Sequence, residues 1–242
     1  MLDILKDIAA HVSPLTVDTV RVKQAGDHVE FTGFGADQHY VLMARTKEKL
    51  DYIESDFGIA NFARLNYLLT NPEYRKNSKI EIKKEQRKGG VIPVKIEFTN
   101  EDDDFINVYN FVSTEVVKIK VHEFETALPK WTFTFTPSIT SIDRFKGMAG
   151  AFAKEPFFRL VLDNEKLAVV FGDSNTDSGY FVFHKDVDKK VDSNSFWPSQ
   201  VFTSILSLDG TKTISLSNDG MIKITVDSGL IVYDFMIVAQ QK

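Results

Sequence analysis

Residues 213–238, TISLSNDGMIKITVDSGLIVYDFMIV, decide how the rest of the chain reads. Apolar and polar residues alternate at period two over 213–217 and 222–226, 231–238 is apolar or aromatic but for Asp234, and the breaks fall at Asn218-Asp219-Gly220 and Asp227-Ser228-Gly229. Asx-Gly turns between such runs specify hairpins, so this stretch is a strand triplet. Just before it, Trp197-Pro198 starts a helix carrying Val201, Phe202, Ile205 and Leu208, with proline at a favoured helix-opening position. Further back, strands fit 157–162, 167–171 and 179–184. They follow a strand at 131–136 and a helix opened by Pro137-Ser138, whose buried side is Ile139, Ile142, Phe145, Ala149 and Phe152.

The first half has the same order. Leu2, Leu5, Ile8, Ala9 and Val12 share one helix face, with Asp3, Lys6 and Ala10 on the polar stripe, and Ser13-Pro14 ends the helix. Period-two stretches at 17–23, 29–34 and 39–43 form a β meander, and 52–55 adds a short strand. A helix is predicted from Phe57 or Gly58 to Leu69, with Phe62, Leu65, Leu68 and Leu69 on one face, Arg64 on the other and Asn71-Pro72 as the stop. Strands at 78–84, 91–98 and 105–111 complete a triplet. The chain therefore reads as an α+β protein of two repeated domains, 1–112 and 131–242, joined by a connector at 113–130. Each has two helices gathered on one face of antiparallel sheets.

Composition narrows the classes. The 242 residues hold 20 Phe and no Cys, which excludes a disulfide framework, a thiol nucleophile and thiolate metal sites, and fits a reducing, cytoplasmic compartment. A run of eighteen apolar residues is absent. A net charge of -5 argues against a surface that binds nucleic acid everywhere and leaves room for a local basic face.

Several stretches resemble the ring-shaped DNA polymerase sliding clamps, above all the two-domain clamps of tailed bacteriophages and, more distantly, proliferating cell nuclear antigen. They are DFGIANFARLNYLL (56–69) before 79–82, residues 131–137 leading into Ile142-Asp143-Arg144-Phe145, and the terminal hairpin at 220–239. The resemblance implies a non-catalytic processivity factor without cofactor or metal. It also implies a homotrimeric ring around duplex DNA, helices lining the hole, and partnership with a DNA polymerase and an ATP-driven clamp loader. In a virus-encoded protein the compartment is the host cytoplasm. The departures are the missing strand before the first helix and the sparse cations on the lining helices.

By family position and helical phase, Lys6, Arg64, Arg144 and Lys146 face the DNA, with Lys154 beside them. Weak, sequence-blind phosphate contact is what sliding requires. Taken on phase alone, the same residues are ordinary solvated positions. The resemblance pairs the strand at 105–111 with the strand at 179–184 of the next subunit, with Tyr109 and Phe111 facing Tyr180, Phe181 and Phe183. Unpaired strand edges are ready adhesives, although each strand also reads as internal. The resemblance also implies a docking pocket for a partner's hydrophobic peptide, which maps to Phe34, Val116, Val238 and Ala239, residues whose apolar character equally suits a core.

Other motifs carry little chemistry. Lys83, Lys84, Arg87 and Lys88 read as a soluble hairpin tip, and residues 101–104 as a solvated acidic turn without the Gly and distal Glu of a calcium loop. His11, His28, His39, His122 and His184 lack metal-ligand spacing. Gly33-Phe34-Gly35 lacks the third Gly of a dinucleotide loop. Two further classes stay open: a β-rich virion or scaffold protein assembling through sheet edges, and a hydrolase built on His184 and Asp186 with a nucleophile in one cleft.

Overall fold

Leu5, Ile8, Ala9 and Val12 recur at the spacing of one helix face, and Leu2–Val12 forms α1 with all four buried. The computed structural model describes residues 1–36, 38–48, 56–75, 77–87, 90–121, 129–173, 175, 177–187 and 195–240. The expected strand at 52–55, His122 and Lys88 lie outside the described residues. The chain divides into two compact units, Met1–Phe124 with Ser228–Tyr233, and Glu125–Asp227 with Asp234–Lys242.

In the first unit β1 (Val17–Ala25), β2 (His28–Gly35) and β3 (Tyr40–Thr46) form the expected antiparallel meander, and β4 (Phe57–Ala60) lies along β1. In the sheet order the neighbour on the far side of β3 is β15 (Ile231–Val238), whose opening, residues 231–233, belongs to this unit. α2 (Phe62–Thr70) packs against α1. A second, three-stranded sheet has the order β5 (Lys79–Arg87), β6 (Gly90–Thr99), β7 (Ile106–Asn110). α1 is tied to the sheet through Tyr233, which stacks on His11 at 4.6 Å and donates its hydroxyl proton to Asp7.

Two expectations need correction here. Residues 57–60 are a strand rather than the first helical turn, because Phe57, Gly58 and Ile59 are buried on both faces and pair with β1. Gly58 also exchanges backbone hydrogen bonds of 2.8 Å with Val112, at a spot where a Cβ would sit 2.8 Å from Val112 Cβ. The helix starts only after Asn61, whose left-handed backbone (φ 51) and side-chain acceptor for the Arg64 N–H cap it. The connector holds a short helix, α3 (Thr114–Lys120), which rests on β1 and β4 through Val117.

The second unit contains β8 (Phe133–Phe135), α4 (Ile139–Ala151), β9 (Phe157–Asp163), β10 (Lys166–Phe171), β11 (Gly179–His184), β12 (Phe196–Pro198), α5 (Ser199–Leu206), β13 (Thr211–Ser217) and β14 (Met221–Asp227), with residues 234–238 of β15. One sheet runs β11-β10-β9-β12 and the other β15-β14-β13-β8. Phenylalanines build the core: Phe145 lies 4.9 Å from Phe158 and 4.7 Å from Phe202, with Phe171 and Phe183 beyond. Ile139, placed on the buried side of α4 by periodicity, is instead 80% exposed, while Ser141 turns inward and donates to the Phe183 carbonyl at 2.8 Å. Trp197-Pro198 is the end of strand β12 along β9, and the helix follows it.

The repeat is closer than the sequence indicated. After a helix come three strands, a short strand, a second helix and three strands, in both units. β4-β1-β2-β3 corresponds to β12-β9-β10-β11, and β5-β6-β7 to β13-β14-β15. The molecule is α+β with antiparallel sheets. Among the described residues no helix is long and apolar enough to cross a membrane.

Candidate assembly edges and nucleic-acid interface

The two outer strands of the β5-β6-β7 sheet differ in chemistry. β5, KIEIKKEQR, is dense in charge, and its register sets Glu81 opposite Glu97 and Lys83 opposite Lys95. Like charges facing each other are relieved along each strand and once diagonally: Lys83 bonds Glu81 on its own strand and lies 3.5 Å from Glu97 across the ladder, Lys95 reaches Glu97 at 2.7 Å, and Lys79 reaches Glu81 at 3.2 Å. Lys83 holds the Glu81 carboxyl below its usual range, and Lys95 does the same for Glu97. Arg87 pairs with Glu85 at 3.0 Å. Such an edge resists pairing with another chain.

β7, Ile-Asn-Val-Tyr-Asn, carries no charge. Phe111 N–H bonds Val94 O, Asn100 N–H bonds Phe105 O, and the register between them is unbroken. The alternation of an antiparallel ladder then aims the N–H and C=O of Ile106, Val108 and Asn110 away from β6. Ile106 is 62% exposed there, with Phe105 beside it. Tyr109 turns inward at 3% exposed; it accepts the Ala60 N–H at 3.1 Å and donates to the Ala60 carbonyl, and burial pushes its hydroxyl up to about 12. Phe111 is half-buried, edge-on to Phe57. Of the residues expected at an interface, Tyr109 therefore serves its own core, and Ile106, missed in the sequence, presents the exposed apolar surface.

β11, GYFVFH, is the uncharged outer strand of its sheet. Tyr180 is 53% exposed and Phe181 half-buried. Phe183 is buried against Phe135 and Phe145, at a register shift in the pairing with β10. α4 presses on this strand, since a Cβ at Gly179 would run into Met148 and Phe152. His184 packs on the Phe135 ring at 4.5 Å, and desolvation lowers its pKa. A hollow of about 270 Å³ in this unit is lined by Arg159, Asp173 and Phe196 among others and does not include His184. Among the described residues no three His, Asp or Glu side chains could hold a metal ion.

On α1, α2, α4 and α5 the exposed charges are Lys6, Arg64 and Arg144 against Asp3 and Asp143, and on α3 they are Lys118 and Lys120 against Glu115. The remaining exposed residues of α1, α2, α4 and α5 are uncharged, most of them small, with Tyr67 on α2 and Ile139 on α4 as the large exceptions. Lys146 is half-exposed and lies close enough to Lys212 to add to the burial that lowers the latter's pKa. Lys154 is exposed in the turn after α4. Arg64 donates from Nη2 to the Val108 carbonyl at 3.2 Å.

Of the residues expected to dock a partner, half-buried Phe34 on β2 and exposed Val116 on α3 belong to the first unit, where Ile119 extends the apolar face of α3. Exposed Val238 and half-buried Ala239 belong to the second, with the Ala239 N–H bonded to Gly220 O.

Neither a protein-family model nor a curated protein matches the sequence. Solved structures do match its fold. The structure of A. fulgidus PCNA with the C-terminal region of FEN-1 bound aligns over 100% of this chain and 96% of that chain, at TM-score 0.66 and 11% identity. The chain has the sliding-clamp fold. PCNA from Thermococcus kodakaraensis aligns over 99% and 97% at TM-score 0.65 and 11% identity. A chain of the PCNA2–PCNA3 complex from Sulfolobus tokodaii aligns over 100% and 97% at TM-score 0.64 and 12% identity. At such identities the likeness is one of fold, and it spans both repeats of the clamp.

Proposed function

We propose that the protein is a DNA sliding clamp: identical chains close head to tail into a trimeric ring around duplex DNA and tether a polymerase loaded by an ATPase partner. One observation carries the reading. In the sheet order β3 is followed on its far side by β15, whose opening belongs to the first unit. The repeat-equivalents of those strands, β11 and β7, are outer strands without a charged residue. The same junction made between copies would pair β7 of one chain with β11 of the next. Because the two edges differ, the contact is heterologous and the assembly propagates in one direction until it closes.

The helix faces suit a passage for DNA, with a few cations among mostly uncharged residues on a chain of net charge -5. Lys6, Arg64, Arg144, Lys146 and Lys154 are the proposed phosphate contacts. Retention then comes from encirclement, and no catalytic residue, metal or cofactor is required. Tyr180, Phe181 and Phe111 are the proposed flanks of the junction, joined by Ile106. Phe34 and Val116 in the first unit, and Val238 and Ala239 in the second, are each proposed to touch a partner peptide, by analogy with the FEN-1 segment bound to the A. fulgidus clamp. The test is mass photometry at micromolar concentration, followed by DNA synthesis on primed circles with a cognate polymerase and loader. Particles of three 27.4 kDa chains and longer products are expected. A lasting monomer would end the proposal, and a ring that never stimulates synthesis would favour a scaffold protein.

A further inference from the structure

We propose that Arg64 guards the assembly edge in the free chain, holding the outward carbonyl of Val108 until β11 of a second copy displaces it. The inference rests on the junction proposed above and adds a device to it.

The position of Arg64 is fixed from two sides. Tyr109 of β7 bonds both the N–H and the C=O of Ala60, which pins the entrance of α2 to the edge strand. Asn61 then caps the helix by accepting the Arg64 N–H at 3.3 Å. Together they set the root of the Arg64 side chain beside β7, and Nη2 lies 3.2 Å from Val108 O. That carbonyl points away from β6 by the phase of the ladder, so the guanidinium occupies an acceptor that an incoming strand needs.

An unpaired edge without charge invites any strand, and cations on edge strands are a common protection. β5 carries its protection within its own sequence; β7 borrows one from the neighbouring helix. The loan is selective. Two β7 edges meeting face to face would bring two Arg64 side chains together and repel, whereas β11 offers no cation of its own within Gly179–His184. Once β11 is seated, its N–H takes the Val108 carbonyl and the guanidinium is released onto the exposed side of α2.

The experiment compares wild type, Arg64→Ala and Arg64→Lys by mass photometry over a dilution series, with circular dichroism melts to establish that each variant is folded. Loss of an exposed charged donor that competes for one acceptor should tighten self-association by about three- to tenfold in Arg64→Ala. Arg64→Lys, which keeps the charge and loses the fork, should fall between the two. A wild-type protein that assembles while Arg64→Ala assembles equally or less well overturns the guard and leaves the ring standing. Monomers for all three proteins overturn both ideas.

Discussion

Replacing Val108 by proline removes one N–H from the outward side of β7 and nothing from its ladder to β6. The bonded residues of β7 facing β6 are Asn107 and Tyr109, the partners of Phe98 and Ile96. Proline is tolerated on an outer strand where its nitrogen faces solvent, and Asn107 before it is already extended. At a junction between copies the loss is larger. The missing bond counts for about 1 kcal/mol, and the neighbour's carbonyl, left buried without a donor, costs about 1–3 kcal/mol more. The sum, about 2–4 kcal/mol per junction, raises its Kd by about 30- to 1,000-fold. Sedimentation equilibrium on wild type and Val108→Pro would read this as a shift from trimer to monomer at micromolar chain, with the thermal melt of the monomer nearly unchanged. Asn107→Pro is the control: it breaks the bond to β6 and clashes within the sheet, so the monomer itself should lose about 3 kcal/mol. Equal self-association of wild type and Val108→Pro, both folded, would refute the edge as the site of assembly.

Lys6→Glu with Arg144→Glu should leave self-association intact and shorten retention on closed circular DNA, with a salt dependence shallower by about 0.9 per phosphate contact removed; gel filtration of loaded circles at rising salt checks it. Burial holds Tyr109 up to about 12, against 10.0 for a free tyrosine. Its contribution is therefore whole below pH 10 and is lost as pH rises through 12, about 3 kcal/mol in all. Urea titrations of wild type and Tyr109→Phe should converge over that window, and parallel curves would contradict the burial argument. Phe145→Ala removes the ring on which Phe158 and Phe202 close, and should cost about 3–5 kcal/mol in the same assay.

Much of the fold was legible because its elements obey simple periods. α1 and the three hairpin-linked triplet strands at 213–238 follow from helical spacing and Asx-Gly turns. Residues 57–60 misled because Phe-Gly-Ile-Ala is apolar throughout, and a strand buried on both faces lacks the alternation that distinguishes it from a helix. Asn61 was the available signal, a strong cap placed four residues inside the predicted helix. α3 escaped notice because seven residues with a single buried side chain, Val117, give no stripe. At the candidate edges the aromatic residues drew attention, yet a ring of that size is worth most in a core, and Tyr109 and Phe183 went there. The absence of charge along β7 and β11 was the better guide, and it could be read directly from the letters.

The membership of residues 228–233 in the first unit constrains how the protein can be made. A ribosome passes Phe124 long before it reaches Tyr233, and through that interval Asp7 lacks its phenol and β3 lacks the strand along its far side. The nascent amino-terminal half is thus an unfinished object with a bare flank, and its maturation waits for the carboxyl-terminal half to be translated. Chaperone demand should accordingly peak mid-synthesis and fall once residue 233 clears the exit tunnel.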